Sequence, residues 1–356
     1  MSTYVIAEAG VNHNGSMDLA RDLIEVAAEA GADAIKFQTF QAGKLVSEEA
    51  PKADYQQETT DAEESQADML RALELSPEQH HAIAEHCDTQ DIQFLSTPFD
   101  AQSAQFLVEE FGVPRIKIGS GELTNGPLLL AIARLGRPVI LSTGMGTLGE
   151  VEQALSVLAY GYTHDESHPS LQDLQRAFAS EEGQNALSEN VTVLHCTTEY
   201  PAPVNSVNLR AMDTLRQAFD LPVGLSDHTE GITVPIAAAA RGATLIEKHF
   251  TLDRSLPGPD HAASLVPDEL RDMVQGIRDV EAALSNSVKA PTDPEWKNRP
   301  AARKSLVATG SIEKGQTFTE ENLGVKRPGD GLSPMRYWEF LGTESSKSFA
   351  SGEQVS

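Results

Sequence analysis

The chain has 356 residues, with 53 acidic against 27 basic side chains, a formal charge of −26, and a composition that is 40% hydrophobic and 22% charged. Length and apolar content suit a folded protein with a large core and exclude a disulfide-stapled mini-domain. The charge excludes nucleic acid and anionic membrane as general partners, since both repel a field of this sign. Only Cys87 and Cys196 are present and no apolar run reaches the ~20 residues of a membrane span, so the expected location is a reducing, cytoplasmic one.

Along the first 250 residues, short β-branched or apolar runs alternate with alanine- and leucine-rich segments of helical spacing. The runs fall at 4–9, 34–40, 92–97, 115–119, 138–143, 191–197, 221–226 and 243–250. The segments 17–30, 77–90, 101–111 and 206–219 carry apolar residues three and four apart, as helices lying on a sheet require. Eight βα units predict an α/β fold, a closed (β/α)₈ TIM barrel over 1–284. An open doubly wound sheet is disfavoured, because the first run leads into Gly10-Val-Asn-His-Asn-Gly15, which lacks the spacing of a dinucleotide-binding turn. Acidic, polar stretches at 47–68 and 161–190 interrupt the rhythm and read as long loops with short helices. Residues 285–300, with Pro291, Pro294 and Pro300, read as a linker. Residues 301–356 carry strand-like runs at 305–308 and 325–326 between turns. They form a small β-rich domain, whose limited core is expected to lean on its own barrel or on a partner subunit's.

In a barrel of this kind the chemistry sits at the C-terminal strand ends, and nearly every run here ends in polar residues. The first offers Glu8, the second Lys36 and Gln38, the third Thr97, the fourth Lys117, Ser120 and Glu122, and the fifth Ser142. The sixth ends in His195-Cys-Thr-Thr-Glu-Tyr200, the seventh in Ser226-Asp-His228, and the eighth holds Glu247 and His249. Alternation puts Lys36 and Gln38 on one side of a strand, and likewise Glu247 and His249. An inward ammonium in a mostly apolar barrel is costly unless an anion meets it, so Lys36 and Lys117 point to a small, strongly anionic substrate, with Ser120, Ser142 and nearby glycine amides completing its pocket. His228 and His249 end consecutive strands and, with Glu8, supply an N, N, O set suited to Mn²⁺ or another divalent ion, with Asp260 contributing through a bound water. A buried structural role or a metal-free acid–base role for either histidine is the competing reading. Glu122 reads as a proton donor or acceptor or as a helix cap, Tyr200 as a ligand-orienting hydroxyl or turn packing, His195 as support, and Met145 and Met212 as core filler. These residues describe a metal-assisted barrel enzyme acting on a small phosphorylated or carboxylated compound. Isomerase, aldolase and phosphatase chemistries all remain open at this point.

Specific segments go further: Ala7-Glu8-Ala-Gly-Val-Asn-His-Asn-Gly15, Ile35-Lys36-Phe-Gln38, Ser96-Thr-Pro-Phe99, Lys117-Ile-Gly-Ser-Gly-Glu122, Leu141-Ser-Thr-Gly-Met145, His195-Cys-Thr-Thr-Glu-Tyr-Pro201, Gly224-Leu-Ser-Asp-His-Thr229, Glu247-Lys-His-Phe250, Pro257-Gly-Pro-Asp260 and Lys326-Arg-Pro-Gly329. Together they resemble the sialic acid synthase family, which includes N-acetylneuraminate synthase and the related legionaminate and pseudaminate synthases, and the tail resembles the family's antifreeze-like SAF domain. The resemblance implies a condensation of phosphoenolpyruvate with N-acetylmannosamine or a close N-acyl aldose and water, giving a nine-carbon 2-keto sugar acid and phosphate. Legionaminate or pseudaminate synthesis from a 2,4-diacetamido-2,4,6-trideoxy hexose is the alternative, and a non-catalytic sugar-binding protein with an eroded site is the alternative of another class. The resemblance also implies Mn²⁺, or Mg²⁺ or Co²⁺, at His228 and His249, and water placement by Glu8. It implies phosphoenolpyruvate contacts from Lys36, Thr97, Lys117, Ser120, Ser142, Tyr200 and Ser226. Gln38, Thr198 and Asp260 are further candidate substrate contacts. Arg327 matches an arginine that the family presents to the sugar's N-acyl group from a partner subunit, which implies a domain-swapped homodimer. Thr198 stands where the neuraminate-forming enzymes carry asparagine, so one amide contact is expected to be replaced by a hydroxyl.

Overall fold

The computed structural model describes residues 2–47, 52, 65–165 and 168–356. Two compact units divide it, residues 1–285 and 286–356.

The first unit is built on eight parallel strands: β1 Tyr4–Gly10, β2 Ala34–Thr39, β3 Gln93–Pro98, β4 Ile116–Ile118, β5 Val139–Ser142, β6 Val191–Cys196, β7 Val223–Asp227 and β8 Leu245–His249. Their order is β3-β2-β1-β8-β7-β6-β5-β4, and the two end strands β3 and β4 lie against each other, giving a nearly closed TIM-type barrel. The period-2 alternation of each strand separates two environments. Val5, Ala7, Ile35, Phe37, Ile116, Ile118, Val139, Leu141, Val193 and Leu225 point outward into one large core shared with the helices. Ile6, Ala34, Leu95, Ile140, Leu194 and Leu245 point inward and plug the barrel. Below the plug, the Arg115 guanidinium sits 4.5 Å over the Tyr4 ring. Above it, the next inward positions are polar. Gly224 marks how tightly the strands converge at the plug: a Cβ there would stand 2.3 Å from the Leu245 carbonyl oxygen and 2.7 Å from Leu194 Cδ2.

The covering helices begin where capping chemistry starts them. Ser16 accepts from the Leu19 N–H at the head of Met17–Glu29, and Ser76 with Gln79 forms a reciprocal capping box at Pro77–Thr89, with proline at the first helical position. The interruption expected over 47–68 falls largely outside the described residues; within them, the helix Gln66–Leu73 starts from Ser65. The stretch 161–190, expected as loops with short helices, is mostly helical. The end of Leu148–Thr163 is followed by Leu171–Ala179 and Glu181–Asn190. Leu171, Leu174, Ala177 and Phe178 recur at helical spacing there, and capping by Ser170 and Ser180 outweighs the polar composition.

The second unit opens with a helix, Asp293–Ala302, inside what reads from sequence as a linker. Pro294 sits in its first turn, where the missing N–H costs nothing, behind a Thr292/Glu295 capping box. Strand β9 Ser305–Ala308 pairs antiparallel with β10 Leu323–Lys326, and Leu306, Ile312, Phe318, Leu323, Phe349 and Val355 form a core of their own. Among the described residues, no helix is long and apolar enough to cross a membrane. Cys87 and Cys196 are both free and buried.

Candidate active site

Strand register brings the polar residues together at the C-terminal mouth. Glu8 pairs in register with Lys36 on one side and His249 on the other, Gln38 with Thr97, and Ser226 with Glu247. They line one cavity of about 330 Å³ with Lys117, Ser120, Ser142, Thr198, Tyr200, His228 and Asp260. Thirteen of the fifteen side chains expected at the site therefore converge.

At the centre is a four-member charge cluster. Lys36 Nζ lies 2.6 Å from Glu8 Oε2 and 3.7 Å from Glu247 Oε2, and Lys117 Nζ lies 3.1 Å from Glu247 Oε1. Thr97 Oγ1 accepts from Lys36 at 2.9 Å, and Ser226 donates to Glu247 Oε1 at 2.8 Å. All four ionisable groups are nearly inaccessible to solvent. Burial pushes the Glu8 carboxyl up to about 7, with Lys36 opposing and the Glu247 charge adding to the rise. Burial also pushes Glu247 upward, but Lys117 and Lys36 together outweigh it and hold that carboxyl down to about 2. Burial depresses Lys36, yet Glu247 and Glu8 more than compensate and keep it charged. Glu8 is thus poised to take or give a proton near neutrality, whereas Glu247 is a fixed anion between two ammonium groups. Strand alternation keeps a second buried pair, Lys248 to Asp227 at 2.5 Å, away from the first: it faces outward and braces the wall.

Beside the lysines, Ser120 Oγ accepts from the Gly144 N–H at 3.0 Å. A Cβ on Gly144 would come within 2.3 Å of Thr198 Oγ1 and 2.7 Å of Ser120 Oγ, so only glycine allows these groups to approach one another. Among the described residues, Ser142 Oγ and Thr198 Oγ1 are buried without hydrogen-bond partners. Buried hydroxyls beside two ammonium groups are suited to the oxygens of an anionic ligand.

The imidazoles of His228 and His249 have ring centroids 5.5 Å apart, and Tyr200 packs 4.1 Å from His228 and 5.6 Å from His249, centroid to centroid. His228 Nδ1 lies 2.7 Å from the Thr197 carbonyl oxygen, which can only accept, so Nδ1 donates and Nε2 is left for a further interaction. Cys196 Sγ is 3.8 Å from the same Nδ1. Burial, then the nearby His228 and Lys36, hold His249 well below the ordinary histidine range, so its ring is neutral and can act as a ligand. Its Nδ1 has no hydrogen-bond partner among the described residues and faces Asp260 Oδ2 at 3.8 Å. Burial raises Asp260 to about 6, against His228 and Lys36. No group of three or more His, Cys, Asp or Glu side chains among the described residues is assembled to hold an ion alone. Two imidazoles with positions left open fit a cation that also binds water and substrate.

Glu122 and Arg327 are not in the lining. Glu122 ends a short 3₁₀ turn, Ser120–Glu122, and its Oε2 accepts from Asn125 Nδ2 at 2.6 Å. Asn125 in turn caps the helix Gly126–Arg134, so this hydrogen bond ties the carboxylate to the helix start. Arg327 belongs to the second unit, where its Nε donates to the Ala302 carbonyl at 3.0 Å. Met145, expected in the core, is 70% exposed at φ 63°, while Met212 is fully buried as expected. His195 faces away from the cavity, with Nε2 on the Val207 carbonyl at 2.5 Å. Glu247 and Cys196 also line the cavity and were not among the expected site members. The alternation that put Glu247 on the face of His249 was the signal for the first, and the same period relative to Leu194 was the signal for the second.

The NeuB family model matches residues 23–289 and the SAF domain model residues 303–356. The N,N'-diacetyllegionaminic acid synthase of Campylobacter jejuni is 48% identical over 99% of this chain and 98% of its own length, and that of Legionella pneumophila is 44% identical over 99% and 93%. The crystal structure of the N-acetylneuraminic acid (sialic acid) synthetase of Leptospira borgpetersenii is 31% identical, covers 84% of this chain and 90% of its own, and superposes with a TM-score of 0.68. With the barrel, the converged lysines and imidazoles and these matches in hand, the chain belongs to the NeuB family of phosphoenolpyruvate-dependent, carbon–carbon bond-forming nonulosonic acid synthases and carries a C-terminal SAF domain.

Proposed function

We propose that the enzyme condenses phosphoenolpyruvate with a 2,4-diacetamido-2,4,6-trideoxy hexose and water, releasing phosphate and a legionaminate-type nonulosonic acid. The relatives at 48% and 44% identity support this acceptor ahead of N-acetylmannosamine, reversing the order expected from sequence. The observation that carries the mechanism is the presence of an ammonium pair and an imidazole pair in one cavity.

In this reading Lys36, Lys117, Thr97, Ser120, Ser142, Thr198 and Ser226 bind the carboxylate and phosphate of phosphoenolpyruvate, neutralising charge that the acidic chain would otherwise repel. Glu247 helps keep Lys36 protonated and holds both lysines in place. His228 and His249 would hold a divalent cation, with Asp260 and Tyr200 beside it. Bound there, such an ion supplies Lewis-acid polarisation of the acceptor carbonyl. Burial opposes protonation of His228, while Cys196 and the Thr197 carbonyl favour it and leave its pKa raised, so ion loading competes with a proton and improves as pH rises. Carbon 3 of phosphoenolpyruvate forms the new bond to the aldehyde carbon, and a water oxygen adds at carbon 2. The bond from carbon 2 to the phosphate oxygen then breaks, and the electron pair leaves with phosphate. Glu8, raised to about 7, takes the first proton from that water, and one proton is delivered to the alkoxide left at the former aldehyde carbon; the second water proton leaves the carbon 2 hydroxyl as the keto group forms and goes to the departing phosphate oxygen.

Arg327 completes the acceptor site in this reading, presented by the SAF domain of a second copy. Charge supports the arrangement: residues 286–356 carry ten basic against nine acidic side chains, whereas the remainder carries 17 against 44. A nearly neutral domain bearing Lys326 and Arg327 suits the acidic barrel of another subunit. Two free, buried cysteines suit a reducing cytoplasm. The test is phosphate release from phosphoenolpyruvate with each aldose in turn. The diacetamido sugar should give the highest kcat/KM, and no release with any aldose would overturn the proposal.

A further inference from the structure

The cavity lining is partitioned by chemistry. The charged groups and hydroxyls come from strand ends, and Asp260 from the segment after β8. A contrasting wall comes from the segments that follow β1, β2 and β3, where Val11, Leu45, Val46, Met69, Leu70 and Phe99 line the cavity. Val11, Phe40, Met69 and Leu73 form a small buried cluster separate from the main core, and Leu45, Leu70 and Phe99 pack on it. The wall is therefore built in advance on a core of its own. Gln38 and Gln66 are also in the cavity lining. Phosphoenolpyruvate has no use for such a surface, since apart from one methylene its periphery is carboxylate and phosphate. The wall faces the other substrate.

We propose that this wall reads the end of the acceptor remote from its aldehyde and selects an aldose with a methyl group at C6 over one with a hydroxymethyl group. The inference rests on the synthase reading and adds the determinant of acceptor choice. A C6 hydroxyl against Leu, Val and Met side chains loses its water and gains no partner, whereas a methyl group gains apolar contact. An apolar pocket of this type rejects an added hydroxyl by about 10- to 100-fold in kcat/KM.

The experiment uses the full chain with phosphoenolpyruvate and Mn²⁺, and compares N-acetylmannosamine with its 6-deoxy analogue, which differ only at C6. Wild type should favour the 6-deoxy sugar by about 10- to 100-fold. Val46→Thr, nearly isosteric, and Leu70→Ser, at a half-buried position, should each cut that preference several-fold while the KM for phosphoenolpyruvate stays within about twofold. Equal kcat/KM for the two sugars in wild type would overturn the inference and leave the synthase reading standing. So would a preference unchanged in both variants, or a Val46→Thr enzyme whose main change is in phosphoenolpyruvate KM. Absence of phosphate release with these sugars and with the diacetamido hexose would sink both readings together.

Discussion

Replacing Glu247 with Gln removes the carboxylate that touches both lysines while keeping the side chain's shape. At an effective dielectric of about 20, the contacts at 3.1 Å to Lys117 and 3.7 Å to Lys36 correspond to gross attractions of about 5 and about 4 kcal/mol. Desolvation of the three buried ions cancels much of this, and breaking such a pair from one side has a typical net cost of about 3–5 kcal/mol, because the remaining charges are stranded. At about 2–4 °C per kcal/mol for a domain of this size class, the thermal midpoint should fall by roughly 6 °C or more. The assay is chemical and thermal unfolding of wild type, Glu247→Gln, Lys117→Met and the double variant. The double variant should be less damaged than the two single losses added together, since it removes an ion with its partner. Phosphoenolpyruvate should stabilise Glu247→Gln proportionately more than wild type, as an external anion takes up the uncompensated positive charge. A Glu247→Gln protein within about 1 kcal/mol of wild type, with no coupling to Lys117, would refute the view that this carboxylate holds the lysines in place.

Other outcomes follow from the same geometry. His228→Ala should weaken Mn²⁺ binding by about tenfold or more in a calorimetric titration; an unchanged isotherm would remove His228 from the ion's ligands. Arg327→Ala should raise the KM for the aldose and spare that for phosphoenolpyruvate, and an unaltered aldose KM would contradict the shared-site reading. Burial and then the nearby His80 and His261 lower His13 from 6.5 to about 4. The unfolded chain therefore takes up that proton before the folded one as pH falls. Stability should drop by about 1.4 kcal/mol per pH unit between about pH 6.5 and about pH 4, roughly 3 kcal/mol in all, and be unaffected by this group above that window. His13→Gln should flatten the slope in equilibrium unfolding across that range, and an identical slope would show that His13 does not titrate this way.

Much of the site was legible before any coordinates, for a reason visible in β2 and β8. A two-residue period with polar groups at the strand's end can only turn Lys36 with Gln38, and Glu247 with His249, toward one side, and eight such strands in a barrel point those sides at one another. What the period does not carry is which inward group serves as structure and which as chemistry. Glu247 proved to be the anion between two lysines, a role set by Lys117 arriving from a strand on the opposite side of the barrel. Glu122 was drawn into its own turn by Asn125, a local hydrogen bond that competes with any pull toward the cavity. Met145, apolar and so expected inside, is held outward by a left-handed backbone between two glycines. Pro294 marked a helix start, not a linker, because the first turn needs no N–H from it. Leu45, Met69 and Leu70 carry no signal of a site in the sequence, and only their packing over the mouth makes them a wall of the substrate cavity. Sequence by itself determined the alternation, the caps and the chemical types available at each strand end, because those depend on neighbours along the chain. Tertiary structure alone decided which charges meet, which carboxylate stays ionised and which apolar groups face a ligand, because electrostatic and packing energies depend on distances between residues far apart in the chain.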